Sequence, residues 1–474
     1  MGMVNAGIYM ESGEDDGRKW NVTGWELGKE EYRELREPEG RIRVQLGTDI
    51  LGERVKDGGI PQTPGLGGFL TSCASAGVNV VERGFNDGVR LGCGVYEFTV
   101  RDGVRDSVRE RFLVDRAGRG ELQNLRVVTG ANVERVKIEK TTGLATGVVY
   151  RMDGEAKDRE VRVKRGAGAG VDNGAYIKAG VVLSAGATGT PGLLMRSGVC
   201  GGCEIADLEG VGRNLQDHPV VGVVVEIEDK GGEEDVRMIG GVWERYRETR
   251  GREGKDQGVM GTAGFQVGAF LRSGIGEDED GEKDDAPDIQ ITVFPRVTEP
   301  SFRDAEMSRP QTPGVVRMLF TVSLLSPTGR MRVTPTGQIV PEGGEYLSDM
   351  DVRKLEWGVE EVRRILGHEP MKSRVIKVSD PQVPSGPLLR NWVLKNAKGN
   401  NHWAGSCRMG NREDEDKGIV VDEDLVVRGT KNLMVADASI MPRITNGNVH
   451  STVVLIGKKA AGIIANGIGG KREE

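Results

Sequence analysis

The sequence predicts a mixed α/β fold, and three patterns predict it. Residues 181–184 form a short apolar strand that is followed by a glycine turn and a short helix. Residues 289–294 and 316–322 alternate apolar and polar side chains, as strands of an antiparallel sheet with one covered face do. Residues 348–366 carry apolar side chains at helical spacing, which predicts an amphipathic helix. We therefore expect one α/β domain and a second domain of antiparallel sheet and helices.

Length and composition limit the class of protein. The 474 residues suffice for two or three domains, and a hydrophobic content of 37% suffices for buried cores. The net charge of -7 is spread along the chain, so no nucleic-acid partner is expected. No run of about 18 apolar residues predicts a membrane span, and the first residues do not resemble a secretory signal. A small neutral or polar substrate is compatible with this composition, and the compartment is left open.

The cysteines are few, odd in number and scattered, at Cys73, Cys93, Cys200, Cys203 and Cys407. This distribution argues against a disulfide framework. The spacing of Cys200 and Cys203 admits a metal or redox site, but no second ligand pair has the spacing that zinc needs. The pair also lies in a glycine-rich loop instead of at the head of a helix. A plain loop is the preferred interpretation, and no metal site is expected.

Strands dominate the first half of the chain. Residues 92–100 alternate enough to be a strand, and residues 124–136 read as two short strands around a Thr-Gly turn. Strands near 145–151, 160–165 and 176–184 are separated by turn residues, which predicts an antiparallel meander.

Two further helices are predicted from capping residues. The first covers residues 191–197, with Thr190 as N-cap and proline at its first position. The last covers residues 451–466, with Ser451 as N-cap, and is apolar on most sides, so we expect it to be buried against a sheet. The acidic stretch 276–288 lacks the ligand spacing of a calcium loop and is expected to be solvated.

Two segments rich in glycine and small residues carry His402, Asn448 and His450, at residues 399–410 and 446–451. An imidazole or amide among such residues suits the close approach of main chain to a flat ligand better than it suits core packing. An imidazole with an ordinary pKa of about 6.5 can accept a proton near neutral pH. These segments are the predicted site.

Four segments resemble, in order, the motifs of the glucose-methanol-choline (GMC) flavoprotein oxidoreductases. They are residues 184–199 (SAGATGTPGLLMRSGV), 211–219 (VGRNLQDHP), 401–410 (NHWAGSCRMG) and 422–448. The resemblance covers most of the chain and is nearest to the cellobiose dehydrogenase and fungal alcohol dehydrogenase branch. It implies an FAD/NAD(P)-binding-type domain and a substrate domain.

The start of the chain departs from the family pattern. Residues 3–10 resemble the tail of the family's first signature, but the βαβ unit with its Gly-x-Gly-x-x-Gly turn does not precede them. The glycine-rich stretches 65–68 and 166–170 lack the strand, turn and helix context of that turn, so we expect loops there. The expected flavin domain therefore lacks its first βαβ unit, and the N-terminus is expected to be truncated.

The resemblance also implies a division into three segments. Residues 1–225 would form the FAD-binding region, with a substrate-domain insertion at about 15–95. Residues 226–394 would form the substrate-binding domain, and residues 395–474 would return to the flavin domain with the catalytic motif.

The resemblance implies FAD as cofactor and assigns roles to individual residues. His402 is the implied general base, and Asn448 would hydrogen bond to the substrate oxygen and steady the developing alkoxide. His450 is the alternative for the second role, but the register of the final helix favours Asn448 and leaves His450 as a cap or packing residue. Asp437 is either a cofactor contact or a turn or cap residue. The positions that match cofactor contacts are Asn5, Val133, Ala185, Gly186, Asp437, Ala438, Asn448 and Val449.

The other two histidines are expected to be structural. His218 is expected to hold its loop against Asp217 or main chain, and His368 to cap the end of a helix. No Ser-His-Asp arrangement is credible with four histidines in the chain.

The predicted function is the FAD-dependent oxidation of a CH–OH group of an alcohol or sugar to the carbonyl, by hydride transfer to flavin. The electron acceptor, whether oxygen, a quinone or another molecule, is not specified by the sequence. The alternative is a flavin-free, non-catalytic remnant, because the cofactor's pyrophosphate would lose its helix N-terminus.

Overall fold

The computed structural model describes residues 8–10, 18–25, 27, 32, 45–46, 64–81, 84–86, 90–163, 180–228, 244, 246–252, 261, 265–276, 286–294, 314–378 and 384–466. The predicted cofactor contact Asn5, the glycine-rich stretch 166–170 and most of the acidic stretch 276–288 lie outside these residues.

The main helices are spread along the described part of the chain. They are α1 (Pro64–Ser75), α2 (Asp115–Gly118), α3 (Gly186–Arg196), α4 (Asp349–Leu366), α5 (Pro387–Asn396) and α6 (His450–Asn466). A π-helix, Glu110–Val114, precedes α2, and a 3₁₀ helix, Ala438–Ile440, follows the last strand. Among the described residues, none of the helices has the length and apolar composition needed to cross a bilayer.

The strands form several sheets, and most are short. In chain order they are β1 (Ile8–Tyr9), β2 (Gln45–Leu46), β3 (Val80–Val81), β4 (Gly92–Val95), β5 (Glu97–Phe98), β6 (Val100–Arg101), β7 (Val104–Arg105), β8 (Ala131–Ile138), β9 (Ala145–Met152), β10 (Asp158–Arg162), β11 (Val181–Leu183), β12 (Val199–Cys200), β13 (Ala206–Asp207), β14 (Pro219–Glu228), β15 (Val267–Leu271), β16 (Ile289–Phe294), β17 (Val315–Leu324), β18 (Met331–Val333), β19 (Ile339–Pro341), β20 (Val375–Val378), β21 (Lys398–Gly399) and β22 (Leu433–Val435).

The largest sheet has the strand order β20-β14-β17-β16-β15-β4-β3, with β21 also paired to β14. Its pairs are antiparallel except for β3 with β4. Helix α4 covers one face, and its Leu355, Val359 and Val362 are buried in one core with strand residues such as Phe320. Ser348 caps α4 in a capping box with Asp351. The predicted antiparallel sheet and amphipathic helix are confirmed.

A smaller α/β layer surrounds two parallel strands, β11 and β22, whose register pairs Val181 with Leu433. The antiparallel meander β8, β9 and β10 packs near it. The prediction that 176–184 is a strand of this meander was wrong, because 181–183 form β11, which pairs in parallel with β22, and 176–179 lie outside the described residues. Leu455, Ile456 and Ala460 of α6 share a core with these strands, so the predicted burial of the last helix is confirmed.

One strand pairing positions the site. Pro219, the first residue of β14, pairs with Gly399 at the end of β21. The residues just outside this pair, His218 and His402, are 184 positions apart in sequence but become neighbours. The predicted domain boundary at residues 225 and 226 falls inside β14, and the division into three segments stays a prediction.

Helix α3 begins earlier than predicted. It starts at Gly186 and places Pro191 inside the helix, so the prediction of Thr190 as N-cap is wrong. Proline lacks the N–H that would bond to the carbonyl four residues back. That carbonyl, of Ala187, instead accepts a hydrogen bond from the Ser406 hydroxyl. The Thr190 hydroxyl accepts from the N–H of Ala185, near the true start of the helix.

Three other local predictions were wrong. Residues 124–130 form no strand. The side chains of Val127 and Val128 are 63% and 50% exposed, so their packing does not stabilise a strand there. Residues 65–68, for which a loop was expected, lie inside α1. The last helix begins at His450, and the Ser451 hydroxyl donates to the Met10 carbonyl instead of capping.

The cysteine prediction was also wrong. Disulfides join Cys73 to Cys93 and Cys200 to Cys203, with Cα–Cα distances of 6.4 and 5.1 Å. Both distances lie within the ordinary range for disulfides. The first bond links α1 to β4, and the approach of these two elements depends on tertiary packing, which cysteine spacing does not report. Cys407 is free and buried.

Candidate active site

A buried carboxylate holds the main chain on both sides of the site. Asp217 Oδ1 accepts hydrogen bonds from the main-chain N–H groups of His218 and His402, at 2.8 and 2.7 Å. Its Oδ2 accepts from the N–H of Asn401 at 3.1 Å. Burial raises the pKa of Asp217 to about 7, although these N–H groups act in the opposite direction. One side chain therefore fixes the relative position of two segments that carry histidines.

The segment after His402 needs a glycine. Gly405 has φ +90°, and a Cβ there would lie 2.7 Å from both the Asn214 carbonyl oxygen and Gln216 Nε2. Gly405 N–H donates to the carbonyl of Ala438 at 3.0 Å. A larger residue would push this segment away from Asn214 and Gln216.

The two histidine rings contact each other directly. His402 Nδ1 lies 2.9 Å from His218 Nδ1, and the rings are nearly perpendicular, with centroids 5.0 Å apart. His218 Nε2 lies 3.1 Å from the carbonyl oxygen of Thr445. His218 is thus more than the loop residue that the sequence predicted, because its side chain pairs with the predicted base.

Burial keeps both imidazoles neutral. His402 is 8% exposed, and burial lowers its pKa to about 4. Burial, and then the neighbouring His402, lower the pKa of His218 well below its ordinary value. A neutral imidazole has one nitrogen free to accept a proton, which is the form that a general base needs.

Asn448 completes the group. Its Nδ2 lies 3.3 Å from His402 Nε2, and its Oδ1 accepts from Gln290 Nε2 at 3.2 Å. Gln290 Nε2 also donates to the Tyr96 hydroxyl at 3.1 Å, and that hydroxyl donates to the Ile291 carbonyl at 2.9 Å. Gln290 therefore orients the Asn448 amide so that its N–H₂ group points to His402.

The structure brings His402 together with Asn448, as the preferred assignment requires. His450 is the first residue of α6 and is buried, and burial lowers its pKa to about 4. His368 Nδ1 lies 2.8 Å from the carbonyl oxygen of Arg364 in the last turn of α4, so its predicted capping role is confirmed. A hydroxyl group that lies beside both His402 Nε2 and Asn448 Nδ2 could donate to the first atom and accept from the second.

A second group of predicted positions lies where β11 and β22 end. Asp437 Oδ2 accepts from Gly186 N–H at 2.9 Å and from the Thr190 hydroxyl at 2.6 Å. Its Oδ1 accepts from Ser439 N–H at 2.8 Å. Asp437 therefore caps α3 and the 3₁₀ helix, which is the alternative role considered for it. Ala185 and Ala438 lie beside these contacts.

The main chain at this second group leaves room for a ligand. Gly186 has φ +82°, and a Cβ built there would meet no atom within 4 Å. Main chain at Gly186, beside the ends of two parallel strands, thus faces open space and can approach a ligand closely, while the Asp437 carboxylate occupies the Gly186 N–H. Ser406, which bonds to Ala187 in the first turn of α3, is four residues after His402. A fully extended chain of that length spans at most about 14 Å, so His402 lies no farther than that from Ser406. The residues present therefore fit an extended cofactor such as FAD.

The remaining predicted cofactor contacts lie at two further places. Val449 is buried beside Asn448. Val133 lies on β8, whose residues Glu134 and Val136 hydrogen bond to Arg196 and Ser197, at the far end of α3. That end is about 15 Å from Gly186 at 1.5 Å per helical residue.

Several residues of the site were missed by reasoning from the sequence. Gln290 and Tyr96 lie in strands or beside them, where alternation reported only burial. Thr445 acts through its main-chain carbonyl, which no side-chain pattern reveals. For His218, the sequence did offer a signal, because Asp217 and His218 lie together in the 211–219 motif that resembles the family.

Comparisons with known proteins cover both halves of the site. Family models described as GMC oxidoreductase match residues 2–220 and 326–457. An "alcohol dehydrogenase [acceptor]" of Pseudomonas putida is 28% identical, over 97% of this chain and 80% of that protein. The mitochondrial choline dehydrogenase of Mus musculus is 28% identical, over 97% of this chain and 74% of that protein.

The fold is similar to that of solved structures. An FAD-dependent oxidoreductase from Chaetomium thermophilum superimposes with a TM-score of 0.74 and 15% identity, covering 98% of this chain and 85% of that one.

Proposed function

Because the chain belongs to the GMC oxidoreductase family, we propose that it oxidises the CH–OH group of a small alcohol or sugar to the carbonyl with FAD as cofactor. The observation that carries this proposal is the pairing of His402 Nε2 with Asn448 Nδ2 at 3.3 Å. One atom of this pair can take a proton, and the other can donate to an oxygen. Alcohol oxidation needs both tasks at the same hydroxyl group.

FAD supplies the acceptor for the hydride of the carbinol carbon, a task that no side chain can perform. The main chain at Ala185 and Gly186, with Ala438 beside it, would hold one part of the cofactor. Asn448 and Val449 would contact it near His402. Asp437 would support this contact indirectly, because its carboxylate fixes the turn at Gly186.

His402 would act as the general base. The substrate hydroxyl donates its proton to Nε2, and the imidazole becomes an imidazolium while Nδ1 keeps its hydrogen bond to His218. Since burial holds the free pKa low, the imidazole is neutral and ready to accept the proton at neutral pH.

Asn448 would steady the negative charge that develops on the substrate oxygen. Its N–H₂ group is turned toward the site by the hydrogen bond from Gln290 to Oδ1. The N-terminus of α6 begins two residues later and adds a partial positive charge nearby. Fixed donors of this kind stabilise an oxyanion without having to reorganise during the reaction.

A cluster of buried aromatic residues packs around Tyr96, next to Gln290, and excludes water from that side of the site. Tyr96, which accepts the Gln290 hydrogen bond, belongs to a buried cluster with Phe85, Phe98, Phe265 and Phe270. Removing water lowers the local dielectric and strengthens the hydrogen bonds of Asn448 and His402.

The proposal is tested by loading the purified chain with FAD and mixing it, without oxygen, with a panel of substrates. The panel contains primary alcohols, choline and aldoses, because similar proteins are named for alcohols and choline. We expect at least one compound to bleach the flavin absorbance, and to do so far more slowly in a folded His402→Ala variant. A folded chain that takes up no FAD would contradict the proposal and favour a flavin-free, non-catalytic protein.

A further inference from the structure

A chain of side-chain hydrogen bonds crosses the site between two main-chain carbonyl groups. It runs from the Thr445 carbonyl through His218, His402, Asn448, Gln290 and Tyr96 to the Ile291 carbonyl. A carbonyl oxygen can only accept a hydrogen bond. The groups at both ends of the chain must therefore donate outward, and this requirement sets the direction of every bond between them.

The Thr445 end determines the tautomers of both histidines. His218 Nε2 must carry hydrogen to donate to the Thr445 carbonyl, so neutral His218 has an unprotonated Nδ1. That atom can only accept, and at 2.9 Å it accepts from His402 Nδ1. Neutral His402 is then left with an unprotonated Nε2, the atom that faces Asn448.

The Ile291 end leads to the same result independently. The Tyr96 hydroxyl donates to the Ile291 carbonyl, so its oxygen accepts from Gln290 Nε2. The other hydrogen of Gln290 Nε2 goes to Asn448 Oδ1. Asn448 Nδ2 therefore points at His402 Nε2, which has to be the acceptor.

The opposite tautomer of His402 would break contacts at both sides. Hydrogen on Nε2 would face the N–H₂ group of Asn448 at 3.3 Å, so two donors would oppose each other. His218 would have to donate from Nδ1, and its bare Nε2 would face the Thr445 carbonyl at 3.1 Å, so two acceptors would oppose each other. Because His218 and Thr445 are buried, no water replaces the bond lost between them.

We propose that His218 is a positioning residue that holds His402 in the tautomer with hydrogen on Nδ1 and a free Nε2. His218 does this because its Nε2 donates to the Thr445 carbonyl, which leaves its Nδ1 unprotonated as an acceptor for His402 Nδ1. It would also accept the Nδ1 hydrogen bond of the imidazolium formed when His402 takes the substrate proton. Its importance for turnover rests on the proposed function, whereas its effect on the tautomer does not.

The tautomer can be measured directly by nitrogen NMR on protein labelled with ¹⁵N-histidine. The chain has four histidines, so the spectrum is simple, and a His402→Ala variant assigns the signals of His402. We expect protonated Nδ1 and unprotonated Nε2 in the native chain. Protonated Nε2 would overturn the proposal, whatever the enzyme's activity.

Two substitutions separate the acceptor from the shape of the ring. His218→Phe keeps an aromatic ring without an acceptor, so only Asn448 still favours the native tautomer. We therefore expect part of the His402 population to move to the tautomer with hydrogen on Nε2. His218→Asn offers a carbonyl oxygen at the place of Nδ1 and should keep the native tautomer. An unchanged His402 spectrum in a folded His218→Phe variant would overturn the proposal. If that variant does not fold, the native spectrum and the His218→Asn spectrum still decide.

Activity provides the second readout. In His218→Phe we expect kcat to fall by about 10- to 100-fold, the range found when the hydrogen-bond partner that orients a metal-bound histidine is removed. KM should change little, because His218 does not contact substrate, and His218→Asn should recover most of kcat. If no substrate is turned over at all, the function proposed above fails while the NMR result still tests the role of His218. Equal losses of kcat in both folded variants would contradict that role.

Discussion

At the scale of single residues, burial decides what His402 can do. A solvated imidazole has a pKa of about 6.5 and is largely protonated in mild acid. Burial brings the pKa of His402 to about 4, so the base is free over a wide pH range. The low pKa makes His402 a weaker base when it is free. In the proposed reaction the donor on Asn448 would help to compensate, because it would stabilise the alkoxide that forms as the proton leaves.

Replacing His402 should remove most of the activity. We expect His402→Ala to lower kcat by about 10² to 10⁴, the usual contribution of a general base. His450→Ala is the matched control, because His450 is a buried imidazole at the start of α6, and its effect on kcat should be much smaller. Steady-state kinetics on the folded variants measures both effects. If His450→Ala proved the more damaging change, the assignment of the base would be wrong.

The pH dependence of kcat/KM should report the low pKa of the base. Only the neutral imidazole accepts a proton, so activity should be constant well above pH 4 and should fall tenfold per pH unit below it. Initial rates measured in short assays between pH 3 and 8 test this. A midpoint near 6.5 would mean that His402 is solvated in the working enzyme.

At the scale of elements, the site depends on two close approaches of main chain. The pairing of Pro219 with Gly399 brings the two histidine segments together, and Asp217 then clamps their N–H groups. Gly405 lets the next residues pass against Asn214 and Gln216. The glycines of the 399–410 segment thus serve a packing requirement as well as ligand approach.

Two glycine substitutions should have opposite effects on stability. Gly405→Ala places a methyl group 2.7 Å from the Asn214 carbonyl in a left-handed conformation, and should destabilise the protein by about 2 kcal/mol or more. Gly457→Ala lies within α6, where a Cβ meets nothing within 4 Å, and should stabilise it by up to about 1 kcal/mol. Thermal unfolding measures the difference, and an unchanged Tm in Gly405→Ala would show that the turn can relax.

At the scale of the whole molecule, two hydrophobic cores meet at the site. One core lies between α4 and the large sheet, and the other surrounds β11, β22 and α6. His218 precedes a strand of the first, whereas Asn448 precedes a helix of the second. The hydrogen bonds between His218, His402 and Asn448 therefore join the two parts of the fold, and the site can form only when both have folded.

The buried histidines should make the protein sensitive to acid. The pKa values of folded His402 and His450 are about 4, and that of His218 is also well below its ordinary value. The folded chain therefore binds fewer protons at these sites than the unfolded chain between pH 4 and 6.5. Their contribution to stability is complete above pH 6.5 and is lost as the pH falls toward 4, by about 3 kcal/mol each for His402 and His450.

Asp217 acts in the opposite sense. Its pKa is raised to about 7. Between pH 4 and 7 the folded chain therefore keeps a proton on Asp217 that the unfolded chain has already lost. Three imidazoles outweigh one carboxyl group, and Tm should fall steadily from pH 6.5 to 4. His450→Gln should make this slope shallower by removing one titrating group. A Tm independent of pH over this range would contradict the burial of the imidazoles.

The sequence predicted the parts of the fold that follow from local patterns. Alternation located β9, β16 and β17, and helical spacing with Ser348 located α4, because burial of one face imposes these periods on the chain. Local signals failed where a distant partner replaced the local one. Thr190 and Ser451 resemble N-caps, but their hydroxyl groups bond to Asp437 and Met10 instead.

For the site, the sequence by itself determined the chemical groups and the family. His402 and Asn448 stand in motifs whose order and spacing identify GMC oxidoreductases, and the family models match there. Only the tertiary structure decided which side chains surround His402, because His218, Gln290 and Asn448 come from separate parts of the chain. The direction of each hydrogen bond in the chain depends on the groups at its two ends, which are the main-chain carbonyls of Thr445 and Ile291. Every residue has such a carbonyl, so the sequence does not show which ones take part. The tautomer that we propose for His402 therefore depends on the folded molecule.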